Sequence, residues 1–139
     1  MSYGNYILCV DDDQDDCTFL SEALKFLNGS VKLHFEPSGA KALQFLAQRI
    51  DKREFPRMMV IDLNMPGMDG KETIDRVRQL KDLTGMPILV LSTTVHDPDI
   101  LELEKSGVTI FAKPSSARDY EQIAKTIVHT MIRDQTHSD

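Results

Sequence analysis

Cysteine is scarce in this chain: two residues, Cys9 and Cys17, stand among 139. They form neither a CxxC pair nor a zinc-like cluster, so both read as small buried side chains rather than ligands or redox centres. Positive charge is also short. Sixteen Lys and Arg face 22 Asp and Glu, for a net charge of -6. A nucleic-acid surface needs clustered Lys and Arg, so no DNA partner is expected, and the acidity leaves room for a cation site. Long apolar runs are missing as well. None approaches the ~20 residues that cross a bilayer. The opening Met1-Ser2-Tyr3-Gly4-Asn5 has neither the basic nor the apolar part of a signal peptide. No membrane partner and a cytoplasmic location are therefore expected. Repeats, low-complexity tracts and an interdomain linker are absent too. Residues 1–139 are expected to form one domain, with a core over about 5–134 and a short frayed tail from Thr136 to Asp139.

What is present is an alternation. Five short apolar runs cover Tyr6 to Val10, Val31 to Phe35, Met58 to Ile61, Ile88 to Leu91 and Val108 to Ala112. Four are continuous or nearly so, as in strands buried on both faces of a parallel sheet. In the second, Val31, Leu33 and Phe35 alternate with Lys32, His34 and Glu36, which predicts an edge strand with one wet face.

Helical patterns fill the gaps. Leu20, Ala23, Leu24 and Leu27 share a face that ends at Asn28-Gly29. Ser38 is a candidate N-cap for a helix with Leu43, Leu46, Ala47 and Ile50 on one face. A shorter helix around Ile74 and Val77 follows Gly70. Asp97-Pro98 starts a fourth and Gly107 ends it. Tyr120, Ile123, Ala124, Ile127, Val128 and Met131 form the stripe of the last. The order βαβαβαβαβα predicts an α/β fold, a doubly wound parallel sheet with helices on both faces. Ligands of such sheets bind beyond the carboxyl ends of the strands.

Those ends carry a particular set of groups. The first strand leads into Asp11-Asp12-Asp13, the third into Asp62, the fourth into Ser92-Thr93-Thr94, the fifth into Lys113-Pro114. Clustered carboxylates repel, and a divalent cation relieves the penalty. Few protein oxygens beside a phosphate suit Mg²⁺. A carboxylate can act as a nucleophile and form an aspartyl phosphate. A cation, an ammonium and a hydroxyl can each hold one oxygen of a transferring phosphoryl group. Taken singly, each residue has a plainer reading: the acidic run as a solvated loop and helix start, Ser92 as a turn residue, Lys113 as an exposed cation. Their coincidence at four strand ends favours the chemical one. His34, His96, His129 and His137 make no ligand spacing.

The segments Ile7-Leu8-Cys9-Val10-Asp11-Asp12, Val60 to Gly70 (with Asp62-Leu63-Asn64-Met65-Pro66-Gly67-Met68-Asp69), Pro87 to Ser92 and Phe111-Ala112-Lys113-Pro114 resemble the receiver family of two-component signalling, in particular its single-domain chemotaxis type. The resemblance implies a flavodoxin-like fold of five parallel strands in the order 2-1-3-4-5 with five helices. It implies a response regulator whose Asp62 takes a phosphoryl group from a sensor histidine kinase or a histidine phosphotransfer protein. Asp12 would bind Mg²⁺ (or Mn²⁺) directly and Asp11 through water. Asp62 and the Asn64 backbone carbonyl would complete the metal set. Ser92 and Lys113 would bind phosphoryl oxygens. The chain would then be no turnover enzyme but a phosphoacceptor, a monomer or weak phosphorylation-linked dimer acting on a downstream protein.

Two positions depart from the family. Ile110 stands where an aromatic switch is usual, with Phe111 beside it, and Ser115 replaces an aromatic after Lys-Pro. These departures sustain an alternative, a phosphorylation-independent interaction module. An aspartate-nucleophile phosphatase is disfavoured, because Asn64 stands where such an enzyme needs a general acid.

Overall fold

A computed structural model describes residues 6–65, 67, 70–93 and 98–137. The strands are β1 (Tyr6–Val10), β2 (Lys32–Glu36), β3 (Met58–Asp62), β4 (Ile88–Ser92) and β5 (Thr109–Ala112). Between and after them lie the helices α1 (Gln14–Leu27), α2 (Gly39–Ile50), α3 (Gly70–Gln79), α4 (Pro98–Glu104) and α5 (Tyr120–His137). All strand pairs are parallel, in the order β2-β1-β3-β4-β5. This is the predicted doubly wound α/β fold.

Strand alternation sorts the core into two layers. Leu8, Val10, Met59, Ile61, Ile88 and Val90 point into the layer that holds Ala42, Phe45, Leu46, Ile74 and Val77 of α2 and α3. Ile7, Cys9, Met58, Val60, Leu89 and Leu91 point the other way, onto Leu20 and Leu24 of α1 and Ile123, Ala124 and Ile127 of α5. Every residue of β3 and β4 is buried, so these strands need apolar side chains at successive positions. Each fully buried Leu or Ile contributes about 1.5–3 kcal/mol, which offsets the entropy of ordering the chain.

Local chemistry sets the helix starts. The Asp13 side chain accepts from the Asp15 N–H and caps α1. Ser38 does the same for α2 through the Lys41 N–H. Gly107 ends α4 with a φ of 83°, a conformation that favours glycine. Gly70 opens α3 tightly under the loop after β3. A Cβ there would lie 2.7 Å from Leu63 Cα and 3.0 Å from the Asp62 carbonyl oxygen, so only glycine fits without moving the loop.

Several expectations need correction. β2 and β5 are the edge strands, as the order 2-1-3-4-5 implies, but β5 is not buried on both faces as its apolar run suggested. Its Thr109 and Ala112 are exposed, because a strand paired on one side has less cover. The buried face of α2 is Ala42, Phe45 and Leu46, while Ala47 is exposed. Leu27 is also exposed, since α1 ends there and no neighbouring element covers it. Helix α5 continues to His137, into the stretch expected to fray. Cys9 and Cys17 are buried as expected, but the structure joins them as a disulfide between β1 and α1. No helix of the described residues is long and apolar enough to cross a membrane.

Candidate functional site

The register brings the chemistry-bearing strand ends together. Val10 pairs with Ile61, so Asp11 and Asp62 follow side by side on β1 and β3. Asp62 pairs with Leu91, and Ser92 with Ala112, which puts Ser92 and Lys113 at the next positions along the same edge. The Lys113 N–H donates to the Ser92 carbonyl at 2.8 Å and fixes that last step. The change of direction in strand order falls between β1 and β3, where a cleft is expected.

Asp62 is 1 % exposed and both of its oxygens are engaged. Oδ1 accepts from the Asn64 N–H at 2.9 Å, and Oδ2 accepts from Lys113 Nζ at 2.7 Å. Asp11 is equally buried and accepts from the Asp13 N–H at 3.0 Å. Asp12 is exposed at the mouth. Asp11, Asp12 and Asp62 each offer one carboxylate oxygen, all within 4.8 Å of one another. Ser92 is fully buried. The Asn64 side chain turns to Thr93, accepting from its N–H and its hydroxyl, both at 3.1 Å, and so ties the loop after β3 to the end of β4.

The electrostatics follow from this crowding. Burial, and then the charge of Asp62, push the Asp11 pKa up to about 7, against the hydrogen bond from Asp13. Burial alone would lower Lys113, but its hydrogen bond to Asp62, the charges of Asp11 and Asp62, and its hydrogen bond to Asp16 outweigh that and hold it above the usual lysine value. A set of oxygen donors with a buried, partly uncompensated carboxylate fits a hard divalent cation. Asp11, Asp12 and Asp62 are the side chains that would hold it.

A pH dependence follows from Asp11. Its folded pKa lies above the unfolded value near 3.8, so the folded state holds the proton more tightly. The stability this provides is full below about pH 4 and is lost as pH rises to about 7, on the order of 1–4 kcal/mol. In chelator, the denaturant midpoint is expected to fall between pH 5 and 7.5, and a divalent cation should flatten the slope. A midpoint rising over that range would mean that Asp11 is not the dominant titrating group.

Asp16 was missed by sequence reasoning. Its Oδ2 lies 3.2 Å from Lys113 Nζ, which also stands 3.7 Å from Asp11 Oδ1. The available signal was its place in the first turn of α1, one turn past the acidic pair. Beside it the Tyr120 hydroxyl is buried without a hydrogen bond of good geometry among the described residues. Burial first, and then Asp16, hold that phenol above its usual pKa. Met65 is buried and packs in the core beneath the site. Pro66, Met68, Thr94, His96 and Asp97 lie outside the described residues. Ile110 packs into the α2/α3 layer and Phe111 into the α1/α5 layer, so the aromatic is on the opposite face and does not stand in for Ile110.

A family model for the response regulator receiver domain matches residues 7–125. The response regulator Rcp1 of Synechocystis is 32 % identical over 97 residues, spanning 68 % of this chain and 66 % of that protein, just under two thirds of its length. An uncharacterised 14.6 kDa protein of Leptolyngbya boryana is 35 % identical over 73 % of this chain and 72 % of its own. Among solved structures, the Mn²⁺-bound form of Rcp1 superposes with a TM-score of 0.74 at 26 % identity, covering 88 % of this chain and 90 % of that one. A phosphorylated cyanobacterial phytochrome response regulator, RcpA, gives 0.79 at 24 % identity over 93 % and 94 %, a likeness of fold.

Proposed function

Because the chain belongs to the response regulator receiver family, we propose that it accepts a phosphoryl group on Asp62 from a phosphohistidine of a sensor kinase or phosphotransfer protein, with help from Mg²⁺ or Mn²⁺. The observation that carries this reading is Lys113 Nζ at 2.7 Å from Asp62 Oδ2, within a cluster of three carboxylates. A buried carboxylate so placed is oriented for attack, and the ammonium is already where negative charge will develop.

In the step itself an Asp62 oxygen forms a bond to phosphorus as the N–P bond of the phosphohistidine breaks, and the imidazole leaves with that electron pair. Lys113 then donates to a phosphoryl oxygen, and the Ser92 hydroxyl to another. The Asn64 N–H holds the other Asp62 oxygen through the transfer. A bound divalent cation would neutralise charge on the carboxylates and the phosphoryl oxygens. Asp11, Asp12 and Asp62, with the Asn64 carbonyl, would hold it. The chain catalyses only its own phosphorylation and dephosphorylation, and its output is contact with a downstream protein.

Incubation with acetyl phosphate and Mg²⁺ is expected to give one phosphoryl adduct by intact mass, absent in chelator. A folded, metal-binding protein that takes no phosphoryl group from acetyl phosphate or from a phosphohistidine donor would contradict the proposal. The second reading, a phosphorylation-independent module, would then stand, and Ile110 in place of an aromatic is the observation that favours it.

A further inference from the structure

The Lys113 ammonium sits between two carboxylates of different standing. On one side is Asp62, buried at the end of β3 and part of the cation cluster. On the other is Asp16, in the first turn of α1 and outside that cluster, with its side chain 18 % exposed. The ammonium and a cation held by Asp11, Asp12 and Asp62 would compete for the same Asp62 carboxylate, because two positive charges on one oxygen repel. An ammonium has three donors, and Asp16 is a ready acceptor at 3.2 Å.

We propose that Asp16 is a positioning residue that gives Lys113 a second seat, so that the ammonium yields Asp62 to a divalent cation while staying within reach of the phosphoryl group. The proposal rests on the phosphoacceptor reading above and adds to it a residue that the cation and phosphoryl chemistry does not itself require. Tyr120, 2 % exposed and packed 6.1 Å from the Phe19 ring, lies beside Asp16, and the Asp16 side chain is itself only 18 % exposed. Without Asp16, the cluster carboxylates are the acceptors left to Lys113 among the described residues, and it opposes the cation there.

The test is Mn²⁺ affinity of the full chain, read by electron paramagnetic resonance of the free ion. Asp16→Asn is expected to weaken binding roughly three- to tenfold, the scale of one partly exposed charge pair. Asp15→Asn removes the same formal charge one residue away, at an exposed side chain, and is expected to leave the affinity unchanged. In a Lys113→Met background, Asp16→Asn should add nothing, since its effect runs through the ammonium. Equal losses in Asp15→Asn and Asp16→Asn would reduce Asp16 to background charge and overturn the proposal. So would a full Asp16→Asn effect in the Lys113→Met background, or no effect at all. If wild-type protein binds no Mn²⁺, the phosphoacceptor reading fails with it, an outcome distinct from the others because no variant is needed to see it.

Discussion

Asp62→Asn is expected to remove the phosphoryl adduct completely and to lower divalent-cation affinity by at least about tenfold, while leaving the chain folded. The amide keeps the shape of the carboxyl group but has no anionic oxygen to attack phosphorus, and it withdraws one of three carboxylates from the cluster. The stability change is the sum of two opposed effects. Asn has one acceptor oxygen for two donors, the Asn64 N–H at 2.9 Å and Lys113 Nζ at 2.7 Å, so one donor meets an NH₂ group, at a cost of about 1–3 kcal/mol. Against this, Asp11 loses a like charge that helps push its pKa up to about 7. The two offset each other, and a midpoint shift within about 1 kcal/mol is expected in chelator. Intact mass, Mn²⁺ titration and a denaturant melt on one preparation separate the three effects. A persistent adduct on the folded variant would move the phosphoacceptor to another side chain.

The fold was legible because its central strands are buried on both faces. A run such as Met58 to Ile61 has few other uses in a chain with helical stripes on either side. The edges were less legible. β2 showed itself by alternation, whereas β5 keeps Ile110 and Phe111 packed on opposite faces and reads as apolar although its ends are exposed. The helix faces were approximate for a similar reason. Leu27 fits the period of α1, but burial depends on whether a neighbour reaches that last turn, and none does.

At the site, the sequence showed what each strand end carries, and parallel topology makes those ends meet. Asp16 lies on a helix, where the rotation that aims it at Lys113 is a tertiary property with no motif behind it. The disulfide was hidden in the same way. Cys9 and Cys17 are eight residues apart, a spacing with no signature, and they face each other because a β1 side chain and an α1 side chain share one layer. The Phe111 ring illustrates the reverse. Adjacent to Ile110 in sequence, it is separated from it by the whole sheet, since neighbouring strand residues point to opposite faces.

Lys113→Met should be the most destabilising substitution in the site. Lys113 Nζ stands 2.7 Å from Asp62, 3.2 Å from Asp16 and 3.7 Å from Asp11, and is the only cation paired with any of them among the described residues. Its removal leaves Asp62 and Asp11 as buried carboxylates facing each other. Breaking a buried pair costs about 3–5 kcal/mol. Lys113 is partly solvated, with its side chain 20 % exposed, and the carboxylates can take up a proton, so about 2–3 kcal/mol is expected at pH 7. For a chain of this length that is a fall in Tm of roughly 6–15 °C in chelator. The sign with pH is fixed. Without the ammonium the Asp11 pKa rises further, so the loss shrinks toward pH 5, where a proton replaces the missing charge. A divalent cation should act likewise, returning about 2.7 kcal/mol at a hundred times its Kd. Phosphoryl acceptance should not recover with it. Metal restores neutrality but not the donor aimed at the phosphoryl oxygen, and losing one such donor costs about two decades in rate. Thermal melts in chelator and in Mg²⁺, beside the adduct assay in Mg²⁺, separate stability from chemistry. If the variant melts with the wild type in chelator, the three carboxylates do not depend on Lys113 for their charge balance. If stability falls but acceptance is undiminished in Mg²⁺, Lys113 only balances charge and takes no part in the transfer.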